Sequence, residues 1–223
     1  MKDLGKAFSA YFKDPRWFSK SLIGVLWMFA CLLGIGIFVL AGYFVRITQR
    51  VMRHEEPALP DWDDIGGKLV TGFKFCVAYF VYIIPIIVLF LPVIVLAVIA
   101  GASGDEGDSM PVFFSIYIFG MTLLMIPYSL ALSLFSPIIT YRFAERERIS
   151  DALDVAGVIR DFRGNWQNAL VVALIAMGIQ SIASIGLFLL LIGIFFTIFY
   201  SYVVSSYLSG VLYLSRESKE QIL

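Results

Sequence analysis

Residues 75–100 read FCVAYFVYIIPIIVLFLPVIVLAVIA, with no Asp, Glu, Lys, Arg or His among them. A helix that crosses a bilayer needs about 20 predominantly apolar residues. This run exceeds that and offers no polar face for water, so it is predicted to be a membrane span. Working outward, the pattern repeats. Between Lys74 and Arg142 there is no basic residue, and the only charges are Asp105, Glu106 and Asp108. Further apolar, uncharged runs occupy residues 21–45, 112–141 and 166–214. The last is too long for one helix. A Ser, Ala and Gly cluster at residues 181–186 divides it into helices over 166–184 and 187–214.

Composition agrees. Hydrophobic residues make up 60% of the chain and charged residues 15%, whereas soluble domains carry about 25% charged residues. A chain of 223 residues cannot hide that much apolar surface inside itself, so lipid must cover it. The net charge of +0 argues against a nucleic-acid partner. Cys31 and Cys76 have no motif spacing and are expected to pack as apolar side chains. The first apolar run is too long for a signal-peptide core and lacks a small-residue cleavage site, so the N-terminus is expected to be retained.

Lysine and arginine set the expected orientation. Arg46, Arg50, Arg53, Lys68 and Lys74 fall in one connecting segment, and Arg142, Arg146, Arg148, Arg160 and Arg163 in another. Both are expected in the cytoplasm, with the charge-poor turns outside and the C-terminus inside. The N-terminal residues 1–20 are amphipathic and also basic. If residues 21–45 crossed once, those charges would lie outside. A re-entrant hairpin bent near Gly34 and Gly36 removes the conflict and is preferred, although the run is long enough to serve as a fifth span.

The expected fold is therefore an all-α integral membrane protein forming one membrane domain over residues 1–223. It has four full transmembrane helices (75–100, 112–141, 166–184 and 187–214) and a re-entrant or fifth membrane segment. Two amphipathic helices, residues 61–74 and 150–163, are expected to lie at the interface. Residues Leu153, Ala156, Ile159 and Phe162 form the apolar stripe of the second. Trp17, Trp62 and Trp166 each follow a helix-start signal and are expected to anchor helices at the headgroups. A weak internal similarity joins Tyr43 and Arg46 to Tyr141 and Arg142.

Several stretches of the chain carry a resemblance. They are Asp14-Pro15-Arg16-Trp17 after Phe12-Lys13, Leu22-Ile23-Gly24, Ala41-Gly42-Tyr43-Phe44-Val45-Arg46, and Leu59-Pro60-Asp61-Trp62-Asp63-Asp64. Together they resemble a prokaryotic family of multi-pass membrane proteins catalogued only as a domain of unknown function. The resemblance implies a bacterial or archaeal membrane and no particular activity.

Residues that could carry chemistry are few. The sole histidine, His54, sits among Arg53, Glu55 and Glu56 and is expected to be a solvated loop residue. Asp61, Asp63 and Asp64 suit a helix start better than a cation site, because a calcium loop needs further ligands. No catalytic, cofactor-binding or metal constellation is found, and no cofactor is expected. The spans hold no ionisable residue that would mark a proton or ion path. Gln180 is expected to bond between helices. Gly193, Thr197, Ser201, Ser205 and Ser209 recur every fourth residue and are expected to let helices approach closely. Pro85 and Pro127 are expected to kink neighbouring helices near the membrane midplane, where a cavity could form. The expected role is non-enzymatic: a structural or partner-binding membrane subunit in the plasma membrane, touching lipid and either a second copy or another membrane protein. The alternative is a transporter or channel-like protein for an uncharged or lipidic solute.

Overall fold

The computed structural model describes residues 4–103, 110–185 and 190–220. Every regular element among them is helical: α1 Leu4–Lys13, α2 Trp17–Ala30, a 3-10 turn Cys31–Leu33, α3 Ile35–Met52, α4 Ile65–Ser103, α5 Met110–Arg146, α6 Ile149–Leu153, α7 Val155–Gly164, α8 Trp166–Ile185 and α9 Leu190–Glu220. By length and composition α3, α4, α5 and α9 can cross a membrane, and α1 with α2, bent at 102°, would make a fifth if they formed one span. The apolar part of α8, Trp166–Ser181, is shorter. The loop of Asp105, Glu106 and Asp108 and most of the expected turn at 181–186 lie outside the described residues; Ser181 itself is helical.

The run 21–45 is two helices. Gly34 breaks it with φ of 80°, a left-handed conformation that glycine adopts without steric penalty. In the returning helix of this hairpin, a Cβ on Gly36 would collide with the backbone of Trp27 and Cys31.

The chain forms two compact units. The first holds residues 1–78 and 133–223. Its central helix is α9, on which α1, α2, α3 and α8 all pack. Tyr11, Leu40, Tyr43, Ile47, Leu59, Phe199 and Val203 form its largest core cluster. Two members of the small-residue series, Ser201 and Ser209, lie in this packing. Ser201, Ser206 and Ser209 are buried, and Gly210 abuts Val51 and the Thr48 carbonyl of α3. Thr48 Oγ1 donates to the Ser206 carbonyl at 2.9 Å. On the other flank Ser201 Oγ donates to Gln180 Oε1 of α8 at 2.6 Å. The surroundings of Gly193 lie outside the described residues. Gly42 and Gly72 bring α3 against α4 so closely that a Cβ on either would strike the opposite backbone, at the Lys68 and Phe38 carbonyls respectively.

The second unit, residues 79–132, consists of the facing parts of α4 and α5. Large apolar side chains are exposed along both helices, among them Val88, Leu91, Ile94, Phe119, Leu123 and Leu124. Pro85 and Pro92 lie inside α4. Near each, a tyrosine of α5 bonds to the α4 backbone. Tyr128 Oη donates to the Tyr82 carbonyl, and Tyr117 Oη donates to the Leu89 carbonyl at 2.8 Å. Those two carbonyls stand three residues before the prolines, next to the Val81 and Val88 carbonyls that lose their N–H donors.

Four expectations need correction. Residues 61–74 are not a separate interfacial helix: α4 runs unbroken from Ile65 to Ser103, because no proline or left-handed residue interrupts it before the apolar run begins. Its start lies four residues later than expected, since Asp64 Oδ1, not Asp61, accepts from the Gly67 N–H at 2.9 Å. Residues 150–163 are two helices, broken where Asp154 turns its carboxylate to cap the Gly157 N–H at 3.0 Å. Trp62 is no headgroup anchor, because its ring stacks on buried Tyr43 at 4.1 Å. Finally, Pro85 and Pro127 are both exposed. They do not line the cleft between α4 and α5, whose walls are mostly apolar, including Ile86, Phe90, Met121 and Met125.

Candidate functional site

The polar chemistry of the first unit collects at one level, where several helix ends meet. Three joints build it. In the first, Lys20 at the start of α2 is buried, and its ammonium reaches Asp14 Oδ2 at 2.6 Å, the Leu59 carbonyl at 2.8 Å and Asp61 Oδ1 at 3.0 Å. Three acceptors satisfy all three ammonium donors. Asp14 is itself buried and also accepts from the Arg16 N–H at 2.8 Å, which closes the turn before α2. Arg16 pairs with Asp61 at 2.8 Å. Trp62 Nε1 donates to the Lys20 carbonyl at 2.9 Å. The motifs around Asp14-Pro15-Arg16-Trp17, Tyr43 and Leu59-Pro60-Asp61-Trp62 thus converge on one clasp. The hydrogen bond from Lys20, then the charges of Lys20 and Arg16, hold the Asp61 carboxyl below its ordinary range against slight burial.

The second joint ties α3, α4 and α5. Gln49 Nε2 donates to the Ala144 carbonyl and to Glu147 Oε1, both at 2.9 Å. Thr71 Oγ1 donates to Glu147 Oε2 at 2.8 Å, and Arg46 stands 3.5 Å from the same carboxylate. Burial alone would raise Glu147. Hydrogen bonds from Gln49 and Thr71 and the charges of Arg46 and Lys74 outweigh it, so its carboxyl lies below the usual range.

In the third joint Arg142 is the hub. Its guanidinium bonds to Asp154 at 2.7 Å, Asp161 at 2.9 Å and the Asp151 carbonyl at 3.0 Å. Asp161 also accepts from Tyr141 Oη at 3.0 Å and from Arg216 at 3.2 Å. Asn165 donates to Ser215 at 2.7 Å. The ends of α5 and α9 and the start of α8 are so fixed at one level.

Beside these joints lies an open cavity of about 770 Å3. Val51, Ala58, Val211 and Leu214 supply apolar walls, and Lys13, His54, Glu55 and Glu56 stand around it. His54 is exposed, with a left-handed backbone at φ 56°. Among the described residues no group of His, Cys, Asp and Glu could hold a metal ion. Asp61, Asp63 and Asp64 do not converge: Asp61 faces Lys20 and Arg16, Asp63 stands 3.6 Å from Lys68, and Asp64 caps α4. Of the expected anchors, Trp166 is exposed and Trp17 packs on Tyr11 and Phe12. The sequence reading missed Lys20, Gln49, Arg142 and Asp161. Lys20 carried a signal, as a lone cation bordering an apolar run.

Neither a curated protein nor a solved structure matches the chain significantly. The family model described as a protein of unknown function (DUF4013) matches residues 25–193, so Asp14 and Lys20 precede the matched part. With most of its length covered by that model, the chain belongs to the DUF4013 family of proteins of unknown function.

Proposed function

We propose that this chain is a non-enzymatic multi-pass protein of a bacterial or archaeal plasma membrane, serving as a structural or partner-binding subunit. The contrast between its two units carries the reading. In the first, the acids Asp14, Asp61, Asp154, Asp161 and Glu147 are each engaged by cations or hydrogen-bond donors of the same chain. That use suits a framework better than acid–base chemistry, which needs a group free to exchange protons with a substrate. In the second, apolar side chains are exposed on both helices, as lipid or another membrane helix would require.

The helical hairpin of α2 and α3 enters and leaves on one side in this reading. Its α2 arm has 14 residues, about 21 Å at 1.5 Å per residue, short of the roughly 30 Å hydrocarbon core. The transporter alternative wanted a polar midplane cavity. The apolar cleft between α4 and α5 gives it little support.

A photo-crosslinking residue placed at Val88 or Leu124 in native membranes tests the proposal. The expected product is an adduct of discrete protein mass, either a dimer of this chain or one partner. Adducts with lipid alone, at these and neighbouring exposed positions, would remove the partner-binding role.

A further inference from the structure

We propose that the outward face of α7, with the arginines beside it, is a docking surface for anionic phospholipid headgroups. Apart from Lys6, Lys13, Arg53, Lys74 and Lys219, the described basic residues of the first unit fall into two sets. Arg16, Lys20, Arg46, Arg50, Lys68, Arg142 and Arg216 each form ion pairs within the chain. Arg146, Arg148, Arg160 and Arg163 are exposed and pair with no described residue. The second set clusters around one elbow, at the end of α5 and along α7. Glu145 is an exposed acid beside them, and the balance remains strongly positive.

The geometry of α7 gives the face its character. At about 100° per residue, Val155, Ala156, Ile159, Arg160 and Arg163 fall within an arc of roughly 140°. All five are exposed, whereas Gly157 and Val158 on the opposite side are buried and Asp161 is bonded to Arg142. Exposed Trp166 follows at the start of α8. Branched apolar side chains, an indole and arginines thus share one surface. Water would leave the apolar part unfavourably exposed. A bilayer interface satisfies both, because acyl carbon and phosphate meet at that depth. Arg142 and the Asp154 cap hold the elbow against the end of α5, a helix apolar enough to cross the membrane, which places the stripe at that depth. Guanidinium groups suit phosphate through paired N–H donors.

The inference rests on the membrane reading above, and its test separates the two. The full chain is reconstituted in phosphatidylcholine vesicles containing either brominated phosphatidylcholine or brominated phosphatidylglycerol. Bromine quenches nearby tryptophan, and Trp166→Phe isolates the Trp166 signal by difference. Each juxtamembrane arginine favours anionic lipid by about fivefold at low salt. The brominated anionic lipid should therefore quench Trp166 at a several-fold lower mole fraction than the neutral one. Arg146→Gln, Arg148→Gln, Arg160→Gln and Arg163→Gln combined should erase that preference. The same four changes to Lys should keep most of it, as should Lys13→Gln with Arg53→Gln. The four arginines form no ion pair among the described residues, so the Gln variant should unfold at the wild-type temperature; if it does not, titration of the wild type with salt, which should abolish the preference, decides instead. A preference that survives the Gln changes, or is absent from the wild type, overturns the proposal. Tight binding of poly-glutamate in neutral vesicles without lipid preference would assign the surface to an acidic protein and also overturn it. Quenching of Trp166 by neither lipid would remove α7 from the bilayer, and with it the membrane placement on which the proposal rests.

Discussion

At the scale of single residues, the buried ammonium of Lys20 is the most demanding group in the chain. Its stability depends on Asp14, which is 1% exposed, and on two further acceptors. Removing one member of a buried ion pair leaves an uncompensated charge and costs about 3–5 kcal/mol. Lys20→Met should therefore lower thermal stability in detergent severely. Asp14→Leu added to it should recover much of the loss, because no buried charge then remains. Equal instability of the single and double variants would mean that Asp14 is not held in a dry site. Acid should act on the same layer. Asp61 and Glu147 have native carboxyls below their ordinary values of 3.8 and 4.5. A depressed carboxyl stabilises the fold above its unfolded value and loses that contribution as pH falls through the native one. Melting temperature should be flat near neutrality and drop as pH falls below about 4.5. Glu147→Gln keeps an acceptor for Gln49 and Thr71, so its acid limb should be shallower. An acid limb as steep as the wild type's would show that Glu147 contributes nothing to it.

At the scale of elements, α9 tests whether small residues hold helices together. Ser201 is fully buried and bonded to Gln180, while Ser205 is half-buried. Leucine at each site adds bulk where helices approach closely. Overpacking costs about 1–3 kcal/mol per site, and a lost interhelical hydrogen bond adds about 0.6 kcal/mol. Ser201→Leu with Ser205→Leu should lower the melting temperature in detergent without changing oligomeric size. A size shift with wild-type stability would place this face between subunits instead. The sequence placed Ser201 and Ser209 in a repeat of four along this helix, and both are buried. The apolar runs were legible because hydropathy is a local property. Helix boundaries were less so. Three aspartates precede α4, and nothing local says that Asp61 serves Lys20 while Asp64 takes the cap. The polar joints were illegible. Gln49 and Glu147 are far apart in sequence, and which acid meets which cation is decided by the fold.

At the scale of the whole molecule, the polar layer turns a charge count into a geometric constraint. Lys20, at the start of α2, bonds to the Leu59 carbonyl beyond the end of α3. Both arms of the α2 and α3 hairpin must then begin and end at the same level. Gln49 carries that level to the end of α5 through Ala144 and Glu147. Arg142 carries it onward to Asp161, and Arg216 brings in the end of α9. None of these bonds can reach across a hydrocarbon core of roughly 30 Å. In the proposed membrane placement, the N-terminal segment, the loop after α3, the elbow after α5 and the C-terminal end therefore share one side. The arginine and lysine excess there is expected to put that side in the cytoplasm. Single cysteines at Asp3, Glu55, Arg148 and Lys219, in a chain whose Cys31 and Cys76 are serine, should resist an impermeant thiol reagent added outside intact cells. A cysteine at Asp105 should react with it. All four reacting while position 105 stays protected would invert the orientation and leave the layer intact. Reaction at position 3 with protection at 55 would be graver. It would put the two ends of the hairpin on opposite sides, and no placement of the Lys20 clasp could survive that.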